Sequence, residues 1–439
     1  MSEPTRTQKT IGQERALLVC VVLPGRDVDP HDPLGELRSL VKTANAKVVD
    51  EIVARRHSVQ PGLYVGKGKA EEIAQRVVQN RAGVVVFDND LSPGQIRELE
   101  RVIGCKVLDR SEVILGIFAA HARTSEAMLQ VELAQLEYTY PRLRHMWTHL
   151  ERMAGGASSG AAAVGGIGTR GPGEKQLEID RRLVQRRVSE LKRRIAVVDR
   201  RKQRLVSSRG GSFLCCLVGY TNAGKSTLMN LLTDAGVLVA DQLFATLDTR
   251  TRRWNLGEGQ HALLSDTVGF ISDLPHHLVA SFRATLEEAI GADLLLHVAD
   301  ASSERIDQQI AAVDQVLKEL KIEGKDQFLL LNKIDRVVDP MTRTLLARKH
   351  PEALFISAHT GENAQAVVQA VLERVRGREL AVIIEAGAAN GRLMQYLAQH
   401  ARMEEPQYAD GRFRVRATMG ARHAERLKSF GPDVVVEKA

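Results

Sequence analysis

The stretch Gly219-Tyr220-Thr221-Asn222-Ala223-Gly224-Lys225-Ser226 follows the apolar run Phe213–Val218 and precedes a helical pattern. A strand–loop–helix passage with this spacing is a phosphate-binding loop. Its glycines let backbone N–H groups curl around phosphate oxygens, and the following helix adds its positive N-terminal end. In such a loop Lys225 reaches the β- and γ-phosphates and the Ser226 hydroxyl is a Mg²⁺ ligand. The stretch also sets the fold class, because open parallel α/β sheets bind ligands at the carboxyl edge of their strands.

Downstream, the remaining parts of a guanine-nucleotide site occur in order. Asp266-Thr267-Val268-Gly269 closes an apolar run; the carboxylate can hold Mg²⁺ through water and the Gly269 N–H can reach the γ-phosphate. Asn332-Lys333-Ile334-Asp335 ends the strand candidate Phe328–Asn332. Asp335 there can accept from the N1–H and exocyclic amine of guanine, which adenine does not offer, while Asn332 and Lys333 position the loop and cover the base. Ser357-Ala358 can present backbone N–H to guanine O6. Phe244-Ala245-Thr246-Leu247-Asp248 supplies a switch threonine, Thr246, whose hydroxyl would complete the Mg²⁺ shell only with the γ-phosphate present; Thr249 and Thr251 are rivals. Phe270 stands directly after Gly269, and a phenyl ring cannot orient an attacking water as glutamine does. Slow intrinsic hydrolysis is therefore expected. Further strand candidates are Ala262–Asp266, Leu294–Ala299 and Leu354–Ser357.

Upstream, strand candidates Leu17–Leu23, Val48–Val53, Leu63–Val65, Val84–Phe87 and Cys105–Leu108 alternate with helical stretches Ala70–Gln79 and Pro93–Val102. This alternation argues a parallel sheet with crossover helices. Gly66-Lys67-Gly68-Lys69 reads as a plain turn. Leu129, Leu133, Leu136, Tyr140, Leu143, Trp147 and Leu150 step by fours and threes, and Leu177, Val184, Leu191, Val198 and Leu205 repeat at sevens. Pro141 should kink or split the first of these helices. The glycine-rich Ala154–Gly173 between them is the tip of an antiparallel hairpin, either a linker or a binding finger. After Gly377, strand-like Ala381–Glu385 and Arg412–Ala417 flank helix-like Gly391–Ala401, a small α+β unit.

The resulting fold class is α/β: a P-loop GTPase domain over 210–377, preceded by an α/β domain over 1–122 and a helical hairpin over 123–209, and followed by an α+β domain over 378–439. Composition agrees with a soluble chain of several domains: 439 residues, 44% hydrophobic and 26% charged. No apolar run approaches the roughly 20 residues of a membrane helix, and the polar N-terminus has no signal-peptide core, so a cytoplasmic location is expected. Cys20, Cys105, Cys215 and Cys216 lack metal-ligand spacing. Between Arg170 and Arg209 fourteen Lys/Arg face five Asp/Glu, an excess larger than the whole-chain net charge of +7. Such a segment is either a site for a polyanion such as RNA or a solvated helical face.

The sequence resembles HflX-type ribosome-associated GTPases. The resemblance rests on HARTSEAMLQVELAQLEYTYPRL at 121–143, GGIGTRGPGEKQLEIDRR at 165–182, and the FATLD, DTVGFISDLP and NKID motifs. The chain departs from the common linker pattern at Lys175-Gln-Leu-Glu-Ile179. The resemblance implies binding to the large (50S) ribosomal subunit and its rRNA, and splitting of stalled or idle 70S ribosomes under stress. It implies RNA contacts from Gly165, Gly166, Gly168, Arg170, Gly171, Lys175, Arg181 and Arg182, with the ribosome as GTPase activator. GYTNAGKS is also similar to the loop of cation-activated GTPases, in which the Asn222 carbonyl would bind K⁺ beside the phosphates. A monomer is expected. A GTP-timed assembly factor and an RNA-remodelling ATPase remain rival readings, although no second Walker motif is present.

Overall fold

Leu17, Val19 and Val21 lie on one face of the first strand and Ala16, Leu18 and Cys20 on the other, and all are fully buried. A strand apolar on both sides belongs inside a parallel sheet covered by helices on each face. The computed structural model describes residues 14–26, 28–155, 182–198, 200, 213–233, 243–244, 250–257, 259–271, 288–320, 322, 324–377, 379–420, 424 and 426–438. In it β1 (Arg15–Val22), β2 (Lys47–Arg55), β3 (Val84–Phe87) and β4 (Lys106–Asp109) form a parallel sheet in the order β2-β1-β3-β4. Helices α2 (Lys67–Asn80) and α3 (Pro93–Ile103) bury Ile73, Val77 and Leu99 against the Leu17 face. Helices α1 (Gly35–Thr43) and α4 (Arg110–His121) bury Leu37, Leu40, Ile114 and Phe118 on the Leu18 face. A capping box, Ser92 with Gln95, starts α3, and left-handed Gly104 ends it.

Three expectations are corrected here. Leu63–Val65 is a turn, with Tyr64 at φ 60° and only an isolated bridge to Gln60, because Gly62 and Gly66 bracket a run too short to pair. Gly66 is the N-cap of α2, so Lys67–Lys69 form its first turn and not a loop. Pro141 does not split its helix: α5 (Ser125–Gly155) runs through it as one 31-residue element. The proline removes a single ladder bond, and α6 (182–198) ties α5 down beforehand through Arg187–Glu132, Lys192–Glu137 and Gln185 to the Tyr140 hydroxyl. Most of the glycine-rich stretch lies outside the described residues.

The second sheet runs β10-β9-β8-β5-β7-β6, built from β5 (Phe213–Gly219), β6 (Arg250–Gly257), β7 (Gln260–Asp266), β8 (Leu294–Asp300), β9 (Gln327–Asn332) and β10 (Leu354–Phe355). Only β6 is antiparallel to its neighbour. Helices α7 (Lys225–Thr233), α8 (Ile306–Glu319), α9 (Pro340–Lys349) and α10 (Ala364–Gly377) belong to this domain. The C-terminal sheet is antiparallel and richer than the sequence suggests: β11 (Glu379–Gly387), β12 (Ala401–Met403), β13 (Gln407–Ala409), β14 (Arg412–Gly420) and β15 (Val435–Lys438), with α11 (Gly391–His400) on one face. No described helix is long and apolar enough to cross a membrane.

The N-terminal and GTPase domains share a core. One apolar cluster runs from Leu18, Leu37 and Phe118 to Val218, Tyr220, Phe244 and Phe270. A buried charge chain borders it: Arg110 pairs with Glu36 at 2.9 Å and Asp88 at 2.8 Å, and Arg26 pairs with Asp88 at 2.9 Å. Arg110 is 3% exposed, and its removal leaves Asp88 with Arg26 alone and the half-buried Glu36 without its cation. Arg110→Met is expected to lower unfolding free energy by about 3–5 kcal/mol, read from the denaturant midpoint. A loss below about 1 kcal/mol would mean that water already reaches the cluster.

Candidate functional site

β5 delivers the chain to a loop that tolerates no side chain at two points. Gly219 has φ 150° and a Cβ there would collide with the Val298 carbonyl; Gly224 has φ 95° and a Cβ would strike the Asn332 side chain. Asn222 takes a left-handed φ of 60°, which asparagine tolerates better than most residues. Lys225 opens α7, and its Nζ donates to the Gly219 carbonyl at 3.0 Å and the Tyr220 carbonyl at 2.8 Å. The ammonium is thus folded inward over the loop. Burial pushes the Lys225 pKa down to about 8, with Asp266 opposing. The Thr221 hydroxyl is buried with no hydrogen-bond partner among the described residues.

The parallel pairing of β5 and β7 sets Leu217 beside Asp266 and brings the Asp266 carboxylate to the loop. The Ser226 hydroxyl donates to Asp266 Oδ2 at 2.6 Å. A hydroxyl and a carboxylate converging next to the phosphate loop are the hard oxygen donors that Mg²⁺ takes. Thr267 turns its hydroxyl inward to the Leu217 carbonyl at 2.7 Å, and Val268 is buried. Gly269 packs so tightly that a Cβ would lie 2.7 Å from Thr221 Cα and 2.9 Å from Lys225 Nζ. Phe270 is stitched to the loop by its backbone: Thr221 N–H donates to its carbonyl at 2.7 Å, and its own N–H donates to the Gly219 carbonyl at 3.1 Å. Its ring is buried in the shared core and presents nothing to a water.

Where β9 ends, Asn332 bridges two loops, donating to the Ala223 carbonyl and accepting from Ala358 N–H, each at 2.8 Å. Asp335 accepts from the Ser357 hydroxyl at 2.6 Å, and that bond holds its carboxyl below the usual range. The carboxylate is exposed just past the end of β9. Lys333, at φ 63°, pairs with Asp300 at 2.7 Å.

Ala245, Thr246, Leu247 and Asp248, and the residues Gly165 to Arg181 expected to meet RNA, lie outside the described residues. Arg182 is exposed at the start of α6. Phe244, expected beside the nucleotide, has its ring edge-on against Phe118, centroids 4.6 Å apart, because apolar burial there outcompetes a polar pocket. Its carbonyl accepts from His121 Nδ1 at 2.9 Å, and the Leu243 N–H donates to the Thr43 hydroxyl at 3.1 Å. Tyr220 donates its hydroxyl to Glu36. Glu36, Thr43, His121 and Asp300 are therefore site neighbours that the sequence analysis missed. Only Asp300 carried a signal, as a carboxylate at a strand end in the ligand-binding edge. A cavity of about 290 Å³ lies between Thr221 and Asn222 on one side and Asp29, Asp32 and Glu36 on the other.

Three family models match the chain in succession: a GTP-binding GTPase N-terminal model over residues 31–119, a GTP-binding GTPase middle region over 121–209, and a 50S ribosome-binding GTPase over 214–333. The chain is 44% identical to a GTPase HflX from Lacrimispora saccharolytica, covering 84% of each chain. It is also 44% identical to a GTPase HflX from Escherichia coli, covering 87% of each. A solved GTP-binding protein from Sulfolobus solfataricus in complex with GDP is 22% identical over 82% of this chain and 98% of that one, with a TM-score of 0.44.

Phosphate binds the charged form of Lys225, and a bound phosphate raises its pKa, so binding is strong below the free-state pKa and weakens as pH rises through it. With a free-state pKa of about 8, GDP affinity should fall about threefold between about pH 7.5 and about pH 8.5, with proton uptake in calorimetry. An affinity flat across that window would show that the ammonium keeps its proton throughout.

Proposed function

Because this chain belongs to the HflX family of GTPases, we propose that it binds the large ribosomal subunit and uses its GTP cycle to split stalled or idle 70S ribosomes under stress. It acts in the cytoplasm as a monomer. The observation that carries this reading is the fusion of the nucleotide loops with the domain contact. Tyr220 rests on Glu36, Leu243 on Thr43, and Phe244 on Phe118 and His121. A change in these loops with nucleotide state must alter how the N-terminal domain sits, and with it the basic α6 beside that domain. Arg186 and Arg193 are exposed on this helix, a footing for phosphate.

In the reaction, water attacks the γ-phosphate in line with the leaving β-phosphate. Lys225 stabilises the developing charge, and the Gly269 N–H faces the γ-phosphate. Ser226, Thr246 and, through water, Asp266 would hold Mg²⁺, which would supply charge neutralisation at the phosphates. The Asn222 carbonyl would hold K⁺ beside the phosphates. Asp335 selects guanine, with Lys333 held over the base by Asp300. With Phe270 turned into the core, no side chain at that position orients the water, so the ribosome completes the site.

GTP hydrolysis measured with and without 50S subunits, in potassium and in sodium, tests both points. A rise of tenfold or more that needs potassium and vanishes on deletion of Gly165–Gly173 is expected from transition-state charge stabilisation. No rise with subunits would sink ribosome activation, and equal rates in the two salts would remove the K⁺ site. Sedimentation of 70S particles with GTP separates splitting from an assembly role, which leaves them intact. Asp335→Asn should weaken GTP by about two orders of magnitude and favour xanthosine triphosphate, since two hydrogen bonds to a charged acceptor are lost. ATP turnover surviving that change would favour an RNA-remodelling ATPase.

A further inference from the structure

The C-terminal sheet has two faces of opposite character. On one, Val382, Ile384, Phe413 and Val415 pack against Leu393 and Leu397 of α11. On the other, β14 carries Arg412, Arg414 and Arg416 at alternate positions, all exposed. Residues two apart on a strand stand about 7 Å apart on one face. Arg402 of β12 lies opposite Thr418 and prolongs the row. The apolar core of this domain lies wholly on the opposite face among the described residues.

The row is arginine throughout. Guanidinium is less strongly hydrated than ammonium and its fork grips a phosphate in two bonds. The row has acidic neighbours, and Arg412 donates to the Asp433 backbone carbonyl at 2.9 Å. Glu385 faces Arg414 at 3.2 Å, Glu404 lies 3.9 Å from Arg416, and Glu437 stands opposite Ile383. Arg414 and Arg416 are more than half exposed, so these pairs are weak in water and exchangeable for phosphate. The aromatic of the adjoining strand, Tyr408, pairs with Phe413 and so belongs to the other face. The row therefore offers charge to a backbone and no platform to bases. Its aliphatic groups among the described residues are the exposed Val435 and the half-buried Ile383, with no aromatic anchor of the kind that dominates protein interfaces.

We propose that this open face binds the phosphodiester backbone of RNA without sequence preference, a second RNA contact separate from the helical hairpin. As an account of ribosome docking it rests on the reading above. The test uses the full chain and a fluorescein-labelled 20-nucleotide single-stranded RNA, followed by anisotropy across a potassium chloride series. R412Q/R414Q/R416Q should lower affinity at least tenfold and flatten the salt slope by about 2, at roughly 0.7 per phosphate contact. Glu385→Gln should raise affinity about twofold, a gain that loss of folding cannot imitate. Both variants should keep basal GTP hydrolysis. Unchanged affinity and slope in the triple variant, or no gain from Glu385→Gln, overturns the proposal. If the triple variant keeps RNA binding but no longer pellets with 50S subunits, the face docks a protein and the RNA assignment fails. If RNA binding falls as expected while even the unmodified chain does not pellet with 50S, the ribosome reading fails and the RNA face stands.

Discussion

One continuous apolar core joins the N-terminal domain to the GTPase domain. Leu18 and Leu37 pack with Phe118, Phe118 meets Phe244, and the same cluster takes in Val218, Tyr220 and Phe270. Interdomain contacts of ordinary polarity allow free relative motion. Here the residues that bury the interface are also the residues flanking the phosphate loop and following the DTVG motif. The nucleotide site therefore cannot rearrange without changing what the N-terminal domain packs against.

The charged groups at this boundary follow the same logic. Arg110, Asp88, Arg26 and Glu36 form a chain that leaves each carboxylate paired, and its outer end accepts the Tyr220 hydroxyl. A buried ion chain contributes less to stability than apolar packing of the same volume, but it is unforgiving of loss. Such a chain fixes one relative placement of two domains. Lys225 is the counterpart on the nucleotide side: buried, with a lowered pKa and bonded to loop carbonyls.

The parallel strands of the first two sheets were legible as short apolar runs bounded by turn residues, although Leu63–Val65, bounded the same way, is a turn. α4 was not, since it is apolar on nearly every side and shows no helical period; it is buried on the sheet and against Phe244 at once. β6 was missed because arginines dominate it, although Trp254 and Leu256 point inward. β12, β13 and β15 are three or four residues long, too short to carry a pattern. In the site, Glu36, Thr43 and His121 come from another domain, and no local pattern marks them.

The phosphate loop, the NKID motif and their order along the sheet were legible in the sequence alone, because local backbone geometry demands those residues at those spacings. Gly219 and Gly224 are glycine for reasons that a neighbouring carbonyl and an asparagine side chain enforce, yet the spacing already announces them. Tertiary structure alone decided that Tyr220, Leu243 and Phe244 rest on Glu36, Thr43, Phe118 and His121. Those contacts join residues more than a hundred positions apart, and no local preference encodes them. The glycine–lysine loop read first is consequently half of a domain joint as well as a phosphate cradle.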